Sequence, residues 1–226
     1  MSTIAILLCA GKGERLGAGM EKALVPLAGR PLFGWSLEAL ERCDAVHGIV
    51  MVGPPRALQE RLAATAVTPR KIVAWTEGGR ERQQSVARGL AVLPADCTHV
   101  AVHDAARALV TPAVIARVIG DALRFGAAIA AVPLADTLKR VSLEVIDTTV
   151  PRQGLWCAQT PQVFRRDWLE AAHAAATAVA TDDAALVEAL GHPVRVSAGE
   201  PLNFKVTTAQ DLALAGAWLS RVETEN

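Results

Sequence analysis

Short apolar runs alternate with amphipathic segments along most of this chain, and this alternation constrains the fold more than any other feature. Residues 4–8, 46–52, 71–75, 99–103 and 127–132 read as strands. Between them, 31–40, 57–64, 81–92 and 112–125 carry helical spacing. In 31–40, Leu32, Trp35, Leu37 and Leu40 follow Pro31, which suits a first turn. In 112–125, Val114, Ile115, Val118 and Leu123 are expected to face inward. The run 127–132 is small and apolar throughout, as in a strand buried on both faces. Strands separated by helices predict an α/β fold with a Rossmann-like, doubly wound, mostly parallel sheet. Right-handed crossovers place the loops that follow the strands on one edge, where open α/β sheets bind ligands.

The rhythm breaks at 136–160. Residues 137–141 and 145–150 are β-prone, with Ser142, Leu143 and Glu144 between them, and predict a projecting β-hairpin arm. Exposed edges need covering. A second copy of the chain is the simplest cover, so the arm predicts a homodimer; the alternative is an arm folded back on its own domain. Downstream, 166–179 and 182–190 read as helices, the second capped by Thr181 or Asp182. A strand at 193–196 and a helix at 208–222 close the chain. The expectation is one domain over 1–226, with 136–160 as arm and return segment.

Composition narrows the function classes. With 226 residues, 51% of them hydrophobic, the chain can build one large core. A formal net charge of zero removes the global basic field that nucleic acid or an anionic membrane would require. The four cysteines (Cys9, Cys43, Cys97, Cys157) form no C-x-x-C pair, which argues against a zinc site or disulfide framework. Cys9 is expected to pack by the first strand, with a reactive thiol as the lesser option. The N-terminus lacks a basic, apolar leader, and no run reaches the ~18 apolar residues of a membrane span. A soluble, reduced, cytoplasmic protein is expected.

The first strand runs into Ala10-Gly11-Lys12-Gly13-Glu14-Arg15-Leu16-Gly17, with Lys22 close behind. Glycines let a backbone approach an anion, and successive N–H groups form a concave donor surface. Spacing excludes a P-loop, because Lys12 is followed by Gly13 and no Ser or Thr is near. It also excludes a dinucleotide fingerprint, because the third glycine position is Leu16. Two readings remain, a strand-to-helix turn with surface charges and a phosphate-binding turn, and the cations clustered around two glycines favour the second.

Three further groups fall at strand ends or loop tips. Gly78 and Gly79 precede Arg82 and Ser85, one turn apart at a helix start that favours anions. His103-Asp104-Ala105-Ala106-Arg107 ends a strand and offers a carboxylate to the crevice. Lys205 lies in an apolar stretch before the last helix, where a semi-buried lysine needs an anionic partner. Taken singly, each has a plainer explanation: a solvated helix cap, an aspartate cap with a surface arginine, a snorkelling lysine.

Together these segments resemble the 2-C-methyl-D-erythritol 4-phosphate cytidylyltransferases. The resemblance runs through the loop 11–17 with Lys22, the segment 78–85, residues 103–107, Asp136-Thr137-Leu138-Lys139, residues 151–156, Gln159-Thr160-Pro161-Gln162, Thr181-Asp182-Asp183-Ala184 and Phe204-Lys205-Val206-Thr207. It spans nearly the whole chain. Departures are Leu8-Cys9 where the family often has Pro-Ala, Glu21-Lys22-Ala23 for Pro-Lys-Gln, and Ala108 for a proline.

The resemblance implies the nucleotide-diphospho-sugar transferase type of Rossmann-like fold and attack of the polyol phosphate on the α-phosphate of CTP. It implies catalytic roles for Arg15, Lys22, Arg152 and Lys205. Cys9, Ala10, Gly11, Gly13, Gly79, Arg82, Ser85 and Ala105 are the implied nucleotide contacts. Asp104, Arg107, Thr137, Thr160 and Thr181 are the implied polyol-phosphate contacts. Thr137 and Arg152 are expected to serve the neighbouring subunit's site. Mg²⁺ is expected, held mainly by the phosphates of CTP rather than by protein ligands.

Three rivals compete. A ribitol 5-phosphate or other polyol-phosphate cytidylyltransferase would share most contacts. A dehydrogenase would need an acidic ribose ligand after the second strand, where Gly53-Pro54-Pro55 stands instead. A non-catalytic nucleotide-binding regulator would bind without releasing pyrophosphate.

Overall fold

The computed structural model describes residues 1–11, 13, 20–65 and 68–224. Lys12, Arg15 and the rest of loop 14–19 lie outside the described residues. Strand β1 (Ser2–Leu8) is followed by a 3₁₀ turn (Lys22–Leu24) and the small ladder of β2 (Pro26–Leu27) and β3 (Arg30–Pro31). Then come α1 (Leu32–Glu41), β4 (Gly48–Val52), α2 (Pro55–Ala63), β5 (Ile72–Thr76), α3 (Arg82–Leu90), β6 (Cys97–Asp104), α4 (Pro112–Phe125) and β7 (Ala127–Pro133). A hairpin of β8 (Leu138–Ser142) and β9 (Val145–Val150) leads to β10 (Trp156–Arg165). Helices α5 (Arg166–Ala175) and α6 (Asp183–Ala189), strand β11 (Arg195–Ala198) and helix α7 (Ala209–Thr224) complete the described chain.

Seven strands form one sheet in the order β11-β7-β10-β6-β1-β4-β5. β1 shows why both faces are covered. Ala5 and Leu7 pack with Phe33, Leu37, Leu58, Ile115 and Ile119 from α1, α2 and α4. Ile4, Ile6 and Leu8 pack with Val86, Leu90, Leu169 and Val187 from α3, α5 and α6. Period-2 alternation of wholly apolar side chains thus feeds two cores, the condition for helices on both sides of a parallel sheet.

The largest departure from the sequence reading is β10, where no strand is expected. It pairs antiparallel with both β6 and β7, whereas the β1–β4, β1–β6, β4–β5 and β11–β7 ladders are parallel. Pro161 and three polar residues hide it, because a mid-run proline argues against a central strand. The ladder accommodates Pro161 by a register shift between Ala158 and Gln162.

Other corrections are local. Leu123 is 39% exposed; the buried stripe of α4 is Val114, Ile115, Val118, Ile119 and Ala122. Leu123 falls in the final turn, where it lines a surface groove with Phe125 and Trp168. Helix α5 stops at Ala175 rather than 179, since the chain must turn there for Ala180 N to donate to Gln83 Oε1. The last strand begins at Arg195, two residues later than expected. Asp182, not Thr181, caps α6, its carboxylate accepting from Ala185 N at 3.0 Å. Among the described residues no helix is long and apolar enough to cross a membrane.

Candidate active site

The chain exits from β1 and β6 stay knitted beyond the strands. Cys9 N donates to Val52 O at 2.7 Å, and Ala105 N to Leu8 O at 3.1 Å. Gly13 has φ +64°, a left-handed conformation that glycine adopts without strain, and a Cβ there would stand 3.2 Å from the Lys22 backbone. Lys22 N donates to Gly11 O at 3.0 Å, so the glycine turn and Lys22 form one unit. Across from it, a Cβ at Gly78 would collide with that of Ala10. The Ser85 hydroxyl accepts from Gly79 N at 2.9 Å and donates to Glu81 O at 3.2 Å, folding this turn onto the start of α3.

These segments enclose a cavity of about 550 Å³. Its lining includes Cys9, Ala10, Gly11, Gly13, Arg82, Ser85 and Ala105, together with Lys22, Asp104 and Lys205. Of the described residues expected to touch a nucleotide, only Gly79 is absent from the lining. A second cavity of about 280 Å³ is lined by Arg107, Thr160 and Thr181, and again by Arg82, Asp104 and Lys205. The two cavities share these three charged residues.

At that junction Arg82 Nε donates to Asp104 Oδ1 at 3.1 Å, and Lys205 Nζ to Asp104 Oδ2 at 2.6 Å. Asp104 is therefore the anionic partner that Lys205 requires. Burial opposes the Asp104 charge, but Arg82 and Lys205 outweigh it and hold the carboxyl well below the usual carboxylate range. Burial likewise opposes the Arg82 charge, and Asp104 and Asp183 overcome it, raising its pKa. Burial draws the Arg107 pKa down. Arg107 Nη1 donates to Asn203 O at 2.7 Å and Nη2 to Ala158 O at 3.2 Å. Arg82 Nη2 and Arg107 Nε are buried without a hydrogen-bond partner among the described residues.

β10 is the strut of the site. The Thr160 hydroxyl accepts from Asp104 N at 3.0 Å and meets His103 Nδ1 at 3.0 Å. Burial pulls the His103 pKa down to about 4, so its imidazole is neutral at pH 7. Asn203 Nδ2 donates to Thr160 O at 2.9 Å and to Gln159 Oε1 at 3.1 Å, which ties the Lys205 segment to the strand. Gln162 Nε2 donates to Asp182 Oδ2 at 2.8 Å, which ties down the segment bearing Thr181. These polar side chains are buried because they are hydrogen-bonded across the sheet edge.

Thr137 and Arg152 lie outside both cavities and are exposed. Arg152 Nη1 donates to Ala135 O, beside the hairpin. Cys9 is no nucleophile: burial, and secondarily Glu21, pushes its thiol well above its ordinary value. No group of three or more His, Cys, Asp or Glu among the described residues could hold a metal ion. Both Asp104 oxygens are committed to cations. The described residues thus do not fit a protein-held magnesium site.

A glycine turn with lysine, a second anion-suited cavity and a shared carboxylate–cation junction are parts of a phosphate-transfer site. The family model for 2-C-methyl-D-erythritol 4-phosphate cytidylyltransferase matches residues 3–221. The chain belongs to this family. It is similar to the cytidylyltransferase of that name from Gloeobacter violaceus (strain ATCC 29082 / PCC 7421), at 46% identity over 95% of this chain and 94% of the relative. With its Prochlorococcus marinus (strain MIT 9313) counterpart it shares 45% identity over 94% of this chain and 96% of the relative. The crystal structure of 2-C-methyl-D-erythritol 4-phosphate cytidylyltransferase from Thermus thermophilus superposes with TM-score 0.79. That pair is 37% identical, covering 98% of this chain and 100% of the other.

Within this cytidylyltransferase chain, some site residues carry little sequence signal. His173 sits in an alanine-rich helix, yet its Nε2 lies 2.9 Å from Asp183 Oδ1. Buried Gln159, Gln162 and Asn203 look like loop residues in sequence. A polar cluster around Pro161 is the local cue that Gln159 and Gln162 share a strand.

Proposed function

We propose that this chain transfers the cytidylyl group of CTP to 2-C-methyl-D-erythritol 4-phosphate and releases pyrophosphate. What carries the reading is the pair of cavities joined at Arg82, Asp104 and Lys205, in a chain matched to this family over 3–221. A phosphate oxygen of the polyol substrate forms the new bond to the α-phosphorus of CTP. The bond from that phosphorus to the bridging oxygen breaks, and its electron pair leaves with pyrophosphate.

The obstacle is an anion meeting an anion. One cation about 4 Å from a charged oxygen is worth about 4 kcal/mol at an effective dielectric near 20. Enzymes lower barriers by about 8–23 kcal/mol, so several cations must act together. Lys22, Lys205 and Arg15 fill this role, steadying the negative charge that builds around the α-phosphorus. The larger cavity takes the nucleotide, and the smaller one takes the polyol phosphate against Arg107, Thr160 and Thr181. Asp104 stands between them. Magnesium belongs to this reading as a cation carried mainly by the CTP phosphates.

The reading includes a single-domain subunit with 136–160 as its arm, and a homodimer through that arm. Thr137 and Arg152 would then complete the neighbour's site. Exposed apolar Val141, Val145 and Ile146 on the hairpin favour such a cover. The enzyme would work in the cytoplasm, without nucleic acid or membrane.

Pyrophosphate release tests the activity, with CTP compared against ATP, GTP and UTP. Methylerythritol phosphate is compared against ribitol 5-phosphate. Turnover is expected with CTP and methylerythritol phosphate. Equal or faster turnover with ribitol 5-phosphate, or nucleotide binding with no release, would overturn the reading.

A further inference from the structure

Arg82 is anchored from two directions. Its Nε donates to Asp104 at the cavity junction, and its Nη1 donates to Asp183 Oδ2 at 2.6 Å. The Asp183 side chain is 1% exposed and lines neither cavity. Its other oxygen meets Nε2 of His173, which is also buried and outside both cavities. An unbroken chain of contacts therefore runs His173–Asp183–Arg82–Asp104–Lys205 across α5, α6, α3, the end of β6 and the last loop.

Burying a carboxylate is costly, and an apolar residue of similar volume often packs as well or better. The Asp183 charge is accounted for by its effect on Arg82. A guanidinium is planar, so fixing two of its nitrogens fixes the group. Arg82 so held keeps Asp104 turned toward Lys205 and the junction charges paired.

We propose that Asp183, backed by His173, is a positioning residue that fixes Arg82 between the two substrate cavities without touching either substrate. The proposal rests on the cytidylyl-transfer reading for its kinetic consequence. The geometric part stands apart from turnover.

Steady-state kinetics of Asp183→Asn give the first test. The substitution removes a negative charge near two anionic substrates, so KM for neither should rise, while kcat falls about tenfold. A lower unfolding midpoint is expected in either case, because a buried ion pair is lost; a merely structural contact would leave kcat of the folded enzyme unchanged. In an Arg82→Met background, where Asp183 has no guanidinium to hold, Asp183→Asn should change kcat less than twofold. His173→Ala should lower kcat about threefold, and His173→Gln, which keeps an N–H donor, should restore it. Unchanged kcat in Asp183→Asn, or the same loss with and without Arg82, would overturn the proposal. The Arg82 Nε–H resonance gives an activity-independent readout. Its hydrogen exchange should quicken at least tenfold in Asp183→Asn, and unchanged exchange would sink the positioning role. Absent wild-type turnover with CTP and methylerythritol phosphate would instead count against the reaction assignment.

Discussion

The ligand edge of the sheet and the β8–β9 hairpin are both made of strand and turn, yet they end in opposite states. At the ligand edge, polar side chains are buried and cross-tied: Thr160 to Asp104, Asn203 to Gln159, Gln162 to Asp182. In the hairpin, apolar side chains are exposed, with Val141 at 53%, Val145 at 67% and Leu143 at 97%. Its ladder joins only its own two strands. A two-stranded hairpin in water is marginally stable. The lesson is that the polar ties of the edge are made within one chain, whereas the hairpin presents a face that one chain leaves uncovered.

The sharpest way to break this contrast is at the edge. Lys22→Ala and Lys205→Ala should each lower kcat by about 10²–10³-fold, the usual loss for one transition-state charge partner. The unfolding midpoint of Lys22→Ala should stay close to wild type, whereas Lys205→Ala, which leaves buried Asp104 with one cation fewer, should lower it. Near-normal turnover in either would remove that lysine from the reaction.

The hairpin side is probed by mixing subunits. If subunits pair through the hairpin as proposed, Arg152→Ala and Lys205→Ala should each be inactive alone. Re-equilibrated together in equal amounts, they should regain about a quarter of wild-type activity, since half of the dimers are mixed and each holds one intact site. No recovery would mean that Arg152 does not serve a neighbour.

His103 gives an intermediate effect on stability. Burial holds its folded pKa at about 4, below the ordinary 6.5. The fold binds fewer protons there than the unfolded chain, so its contribution is complete above about pH 6.5 and is lost as pH falls toward 4. The contribution is about 3 kcal/mol at neutral pH. Urea titrations of wild type and His103→Gln between pH 4 and 7 should show that difference shrinking on acidification. A pH-independent difference would contradict the assignment.

The smallest effect concerns the hairpin turn. Leu143 and Glu144 adopt φ of +47° and +64°, the left-handed pair of a tight hairpin turn. Asn-Gly suits that geometry better, so Leu143→Asn with Glu144→Gly should stabilise the hairpin by about 1 kcal/mol. Hydrogen exchange of the β8 and β9 amides should slow accordingly, with no change in kcat.

Most elements were legible because local patterns encode them. The α4 boundaries follow from Pro112, the apolar stripe and Gly126, and the hairpin from β-prone runs around a short turn. The settings of Lys22 and Arg82 were legible too, because one follows a glycine turn and the other opens a helix. β10 was not, since Pro161 and buried glutamines mask its period. Leu123 misled because apolar periodicity does not report where a helix outruns its neighbours.

By itself, then, the sequence determined an alternating α/β sheet, its ligand edge and the residue types needed to manage phosphate. Tertiary structure alone decided the partnerships: Asp104 with Lys205, and Arg82 with Asp183, each 101 residues apart in the chain. Periodicity is a short-range property and is written locally. Such a charge pair forms only where the fold brings distant segments together.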